Sequence, residues 1–382
     1  MCNIQKKYLV LTPFFPSKND YRGIYIFDQI KEIYKQTDFE IKVIKIVSVF
    51  SKEQDYNYEG FDVLVFKLID FPYFIFPGLF NFFNCKRIIR FIAKRNLDNI
   101  RIIHGHVTYP SAYLVNALSN LSPAKTIIHH HGRDVLQLEN GRFSFIRNFQ
   151  NQILTDRSLK QLNKIDVNIG VSKLVLNELN KYSKYIPKSE FVMYNGVDVN
   201  KFYPLKLKKN EVYTIGCIAN FWELKDHITL IKSVESLFHQ GYNLQLRLIG
   251  SGSTFSKCYK YVIKNKLSQF IFFEQEKMHH ELNNFYNEID LFVLPSYYEA
   301  LGCVYLESWA TNTPFIAIKG QGISELIKND DQDIFLAEAK NPNSLVKCIL
   351  YHMSSKRELI FDNNYRIDIL VKFFIDNVIK GD

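Results

Sequence analysis

The stretch LPSYYEALGCVYLESWA, residues 294–310, reads in three pieces. An apolar run closes at Leu294 and Pro295, a short loop carries Glu299 and Gly302, and a helix-forming segment holds Glu307 about one turn inside it. A buried strand that passes into a helix through a tight loop is the unit of an open α/β sheet, whose ligands sit beyond the carboxyl ends of the strands. Main-chain N–H groups at such a helix start suit a diphosphate, and glycine at 302 lets the backbone approach it closely.

Working outward, the same alternation covers the chain. In the second half it predicts strands over 213–219, 244–249, 270–274, 291–295, 314–318 and 334–337, with helices starting near Asp226, Phe255, His280, Cys303, Ser324 and Pro342. In the first half it predicts strands over 8–12, 41–49, 63–68, 100–104, 126–131, 167–171 and 191–194, and helices over 24–34, 111–118 and 173–180. A chain of 382 residues exceeds the size at which one core keeps growing. The expected fold is therefore α/β, with two doubly wound Rossmann-like domains facing a cleft. Residues 1–203 form the first domain, the polar stretch 204–211 a linker, 212–365 the second domain, and 366–382 a C-terminal helix that packs back on the first.

The net charge of +9, from 48 basic and 39 acidic side chains, favours anionic partners. Nucleic acid is not among them, for there is no dense basic stripe, zinc-finger spacing or aromatic RNA-binding signature. The six cysteines form no CxxC pair, so they read as reduced thiols of a cytoplasmic protein. The N-terminal apolar run is broken by Pro13 and Pro16 and reads as a strand rather than a secretion signal.

Pro295, Ser296, Glu299, Gly302, Glu307, Ala310 and Pro314 together resemble the Glu-x7-Glu frame of glycosyltransferase family four, a retaining group with the GT-B fold. Taken singly, Glu299 would be a solvated loop acid and Glu307 an exposed helix residue. The resemblance instead implies that Glu307 holds the donor's ribose hydroxyls. It puts Glu299 beside the transferred sugar, and makes Leu301, Gly302 and Cys303 main-chain donors to the diphosphate. In the segment 218–227, IANFWELKDH, the family carries an Arg and, five residues later, a Lys that neutralise the leaving group. Lys225 fits the second position. Asn220 stands at the first, and its amide donates hydrogen bonds without charge, so the diphosphate leans harder on Lys225 and the backbone.

In the first half, Gly23 matches the family's glycine near the donor phosphates, or else only starts a helix. Five of the ten histidines lie at His104, His106 and His129–His131. A zinc site is one reading of such a cluster, though it needs defined geometry and supporting contacts. Strand-end histidines filling core positions are the other. By resemblance His131 faces the donor sugar, Asp134 the acceptor, and no metal or other cofactor is implied.

The aromatic run from Phe71 to Phe83, followed by Lys86, Arg87, Arg90, Lys94 and Arg95, suits an anionic membrane surface as well as it suits a core hairpin and a surface helix. The combined expectation is a retaining enzyme. It moves a sugar from a nucleotide diphosphate sugar, a UDP-sugar first, to a glycan or polyprenol-linked acceptor in bacterial surface polysaccharide synthesis. Its place is the cytoplasm, with peripheral contact at the inner face of the cell membrane. The alternative is a nucleotide-sugar-binding scaffold of the same fold, which Asn220 keeps open.

Overall fold

The computed structural model describes residues 5–18, 20–70, 78–121, 123–132, 134, 147–207, 211–355 and 360–381, without the side chains of 147–151. They form two units, residues 1–194 with 367–382, and residues 195–366.

The first unit runs β1 (Lys7–Thr12), α1 (Ile24–Gln36), β2 (Glu40–Ser48), β3 (Tyr56–Tyr58), β4 (Phe61–Leu68), α2 (Asn81–Lys94), β5 (Ile100–His106), α3 (Ser111–Ser119), β6 (Lys125–His130), α4 (Arg147–Leu162), β7 (Val167–Gly170), α5 (Lys173–Asn180) and β8 (Glu190–Val192). The sheet order is β3-β4-β2-β1-β5-β6-β7-β8, parallel throughout except for β3 against β4. All six residues of β1 are buried, as a strand covered on both faces requires. The strand order reverses between β1 and β5, so loops leaving Thr12 and His106 flank the point where open sheets take ligands.

The second unit runs β9 (Tyr213–Ile218), α6 (His227–His239), β10 (Leu244–Ile249), α7 (Phe255–Lys264), β11 (Ile271–Glu274), α8 (Leu282–Glu288), β12 (Leu291–Val293), α9 (Cys303–Ala310), β13 (Phe315–Ile318), α10 (Gln332–Phe335), β14 (Leu336–Ala337) and α11 (Pro342–Ser354). Its parallel sheet has the order β11-β10-β9-β12-β13-β14, with the reversal between β9 and β12.

The strand β3 and the helices α4 and α10 go beyond the elements read from sequence, α10 taking the start of the strand expected over 334–337, and the helix expected near Ser324 is a single 3-10 turn, Gly322–Leu326. The boundary between units also falls earlier than the reading at 203, between Tyr194 and Asn195. Two asparagine side chains of α8 cause this. Asn283 accepts the Tyr203 N–H at 3.0 Å and Asn287 the Leu205 N–H at 2.6 Å, and Phe202 is buried against Tyr286. The expected linker 204–211 is thus fastened at its start, and its residues 208–210 lie outside the described ones.

The chain then returns to the first unit. The helix α12 (Ile367–Phe374) continues into a wider turn, Ile375–Ile379, and packs beside α1. Val371, Phe374, Ile375 and Val378 are buried in one cluster with Tyr8, Val10, Phe27, Ile30 and Ile33.

Candidate active site

In the second unit the loops after β9 and β12 meet at the sheet's reversal point. The first ends in a 3-10 turn, Glu223–Lys225, and Asp226 turns the chain into α6 from a left-handed conformation, φ 48°. The second is stitched onto that turn: the Tyr297 N–H donates to the Leu224 carbonyl at 3.1 Å, and the Ser296 hydroxyl lies 3.1 Å from the same carbonyl. Held this way, the Lys225 ammonium pairs with the Glu299 carboxylate, and both side chains are mostly buried.

A third loop locks the second from outside. The Gly322 N–H donates to the Glu299 carbonyl at 3.2 Å, and the Gln321 amide donates to the Ser296 carbonyl. A Cβ at 322 would lie 1.7 Å from the Ala300 carbonyl oxygen, so only glycine permits this backbone-to-backbone approach.

Gly302 opens α9 with φ 83°, a left-handed conformation that glycine adopts without strain. The first N–H groups of an α-helix lack partners within it, which puts main-chain donors around Leu301, Gly302 and Cys303. One turn on, Glu307 is only 7% exposed. One of its oxygens accepts the Tyr286 hydroxyl at 2.9 Å, and the other lies 3.3 Å from His279 Nε2. Burial, and then the neighbouring carboxylate, hold the Tyr286 phenol well above its usual pKa, so it remains a donor. A carboxylate has about four acceptor positions, so Glu307 keeps capacity for two vicinal hydroxyls. Asn220 is exposed on the loop after β9.

The second unit thus gathers Lys225, Glu299, Leu301, Gly302, Cys303 and Glu307 at one edge. Tyr286 and His279 were not anticipated, because a phenol and an imidazole on separate elements leave no spacing pattern. Ser296 belongs to the Glu-x7-Glu frame, but its structural task, like that of Gly322, emerges only from the packing.

In the first unit Gly23 starts α1 with φ 85°, and a Cβ there would lie 2.5 Å from the Phe14 carbonyl oxygen. The tight first loop therefore explains this glycine without any ligand. His131 follows β6, with Nε2 3.0 Å from His106 Nδ1 and its ring 4.9 Å from that of Tyr25. Burial pulls its pKa down to about 4, so the ring is neutral near pH 7.

Asp134 has an inward task rather than contact with an acceptor. It is 7% exposed and accepts the Thr108 N–H at 3.0 Å, the His131 N–H at 3.1 Å, and His130 Nδ1 at 2.9 Å. Burial raises its pKa, but the hydrogen bonds from His130 and Thr108 outweigh that, and the carboxyl lies below its usual value. Its acceptor capacity is spent on the fold.

Residues 25–201 match the model of Glycosyltransferase Family 4, and residues 200–366 match that of Glycosyl transferases group 1. The chain belongs to glycosyltransferase family four. An uncharacterized glycosyltransferase of Methanocaldococcus jannaschii is 29% identical over 280 residues, 72% of this chain and 71% of that one. A capsular polysaccharide biosynthesis glycosyltransferase of Staphylococcus aureus, CapM, is 27% identical over 209 residues, 50% of this chain and 52% of its own. The GT-B fold is shared with the Anabaena protein HepE, solved in complex with UDP and glucose, at a TM-score of 0.70 and 13% identity, covering 98% of this chain and all of that one. As a glycosyltransferase, the chain has its Glu-x7-Glu pair on α9 and the loop before it.

Proposed function

We propose that this glycosyltransferase moves a sugar from a UDP-sugar, with retention at the anomeric carbon, to a glycan or polyprenol-linked acceptor in surface polysaccharide assembly. The Lys225–Glu299 ion pair before α9, with Glu307 buried on that helix, at the reversal point of the second sheet, carries the reading.

The donor's diphosphate takes the Lys225 ammonium from Glu299, and main-chain N–H groups at 301–303 together with the Asn220 amide complete its shell. This stabilises the negative charge of the departing nucleotide, an electrostatic role whose groups are already in place. Released from Lys225, the Glu299 carboxylate faces the transferred sugar, where it orients hydroxyls and offsets oxocarbenium-like charge. Glu307, held by Tyr286 and His279, receives the ribose diol. Neutral His131 hydrogen-bonds a sugar hydroxyl. No cofactor or metal enters these steps.

The acceptor class draws support from CapM's role in capsule synthesis. It also draws support from α2 and the turn before it, where Leu79, Phe82 and Phe83 are 55%, 66% and 57% exposed, and the Lys86 ammonium sits 4.3 Å from the Phe82 ring centroid. An aromatic and basic face of this kind suits an anionic membrane surface. The rest of that aromatic run, 71–77, lies outside the described residues. Among the described residues no helix is long and apolar enough to cross a membrane.

The test is calorimetric binding of UDP and a panel of UDP-sugars, with product analysis by NMR. Glu299→Gln should lower turnover roughly 100-fold or more while UDP affinity changes little, the mark of an interaction made in the transition state. Lys225→Met should weaken UDP binding about 10- to 100-fold, the worth of a charged hydrogen bond. A fully active Glu299→Gln enzyme would end the assignment. UDP binding without turnover of any donor would favour the scaffold.

A further inference from the structure

The strands β5 and β6 pair in parallel with His106 opposite His129, and alternate residues of a strand share a face. His104, His106, His129 and His131 therefore point the same way from adjacent strands. Their rings form one stack: the centroids of His104 and His106 are 4.4 Å apart, those of His129 and His131 4.7 Å, and those of His106 and His129 5.5 Å. The stack lies in the core cluster between Tyr8, whose hydroxyl is 2.7 Å from His104 Nδ1, and Phe374 of α12.

His104, His106 and His129 have no exposed surface. Even so, among the described residues His104 Nε2, His106 Nε2 and both nitrogens of His129 lack a hydrogen-bond partner. The Met193 carbonyl lies near enough to His129 to favour its charged form, but without hydrogen-bond geometry. Each buried polar atom left unsatisfied costs about 1–3 kcal/mol. The neighbouring positions of both strands, Ile102, Ile103, Ile127 and Ile128, are filled by isoleucine, which carries no such penalty. Four imidazoles in this place need a partner that the described residues do not supply.

The rings are also prepared for one. A nitrogen from each of His104, His106 and His129 lies within 4.8 Å of the others. Ligand nitrogens of a tetrahedral zinc site stand about 3.3 Å apart, from Zn–N distances near 2.05 Å, so the His104 and His106 rings, 25° from parallel, turn out of their stack to bring their lone pairs onto one ion. A set of neutral imidazoles with no carboxylate excludes Mg²⁺ and Ca²⁺, which demand oxygen, and selects a borderline-soft ion.

We propose that His104, His106 and His129 bind one d¹⁰ metal ion, Zn²⁺ or Cu⁺, which pins β5 to β6 beneath α12 and takes no part in sugar transfer. Binding through His106 Nε2 obliges Nδ1 to carry the proton and to donate it to His131 Nε2. The ion would then set the tautomer of a histidine at the edge of the sheet from behind, as second-shell partners do around metal ligands.

The experiment uses the untagged full chain, stripped with chelator, then equilibrated with Zn²⁺ in one arm and with Cu⁺ under anaerobic reductant in the other. Elemental analysis after gel filtration should find one equivalent of one ion, and X-ray absorption should show a shell of three imidazoles. The thermal transition of the first unit should rise by several degrees with the bound ion. His129→Phe, which keeps the ring stacking and removes both nitrogens, should lose the ion. Retention of metal by His129→Phe at the wild-type level overturns the site, and so does a wild-type metal shell without imidazole or no stoichiometric uptake of either ion. Should the variant fail to fold, the wild-type absorption spectrum decides alone.

Discussion

Replacing Phe374 by alanine perturbs the first unit from the far end of the chain. The ring is fully buried, with the Phe191 and His104 rings at 6.4 and 5.9 Å. Truncating a buried Phe to Ala costs about 3–5 kcal/mol, because the apolar transfer energy is lost and a cavity remains. The first unit holds about 210 residues, and a domain of that size shifts its melting point by roughly 2–4 °C per kcal/mol. The variant should therefore melt on the order of 6–20 °C lower in that unit. Two probes separate the units, since both tryptophans, Trp222 and Trp309, belong to the second. Far-UV circular dichroism and amide exchange in β1 and α1 should report the loss, while the tryptophan fluorescence transition keeps its midpoint. Equal shifts in both signals, or unchanged exchange in β1 and α1, would refute the assignment of 367–382 to the first core.

Two further predictions concern the second unit. His227 stacks on Phe221 at 3.9 Å, and burial, with the Lys225 charge as the lesser cause, pulls its pKa to about 4; burial does the same to His352. A folded pKa below the unfolded value of about 6.5 means that the unfolded state binds the proton, so this stability is present above pH 6.5 and is lost as pH falls toward 4. Between pH 6.5 and 5 each histidine should withdraw about 2 kcal/mol, read as a falling urea midpoint by Trp309 fluorescence and flattened in His227→Gln. A midpoint independent of pH across that range would contradict the burial. Gly322→Ala should displace the loop 299–302, because its Cβ meets the Ala300 carbonyl at 1.7 Å. UDP affinity should drop at least tenfold with the first unit's melting unaltered, and a variant binding UDP normally would show that this contact does not hold the site.

Much of this architecture was legible in the residues. Buried parallel strands such as YLVLT and RLI announce themselves as apolar runs, and the frame from Pro295 to Pro314 specified strand, loop and helix at once. What escaped depended on contacts across long separations. Nothing local tells that Asn283 and Asn287 would fasten residues 203–205 and so move the domain boundary. Asp134 reads as a loop acid until Thr108, 26 residues upstream, offers its N–H. Glu307 likewise reads as a surface acid until Tyr286 and His279 close around it. Periodicity reports which face of an element is buried, but not which polar side chain waits beneath it.

The pairing of Lys225 with Glu299 carries a consequence for competition among anions. The ammonium is already paired with a carboxylate, so an incoming anion must separate two opposite charges that are largely shielded from water. A free phosphate ion could take the lysine but would strand the carboxylate without a counter-charge. Under the proposed function a nucleotide sugar would replace both partners at once, its diphosphate accepting the lysine while its sugar hydroxyls satisfy the glutamate. On that reading the ion pair would weigh against inorganic phosphate before any feature of the base or the sugar is read.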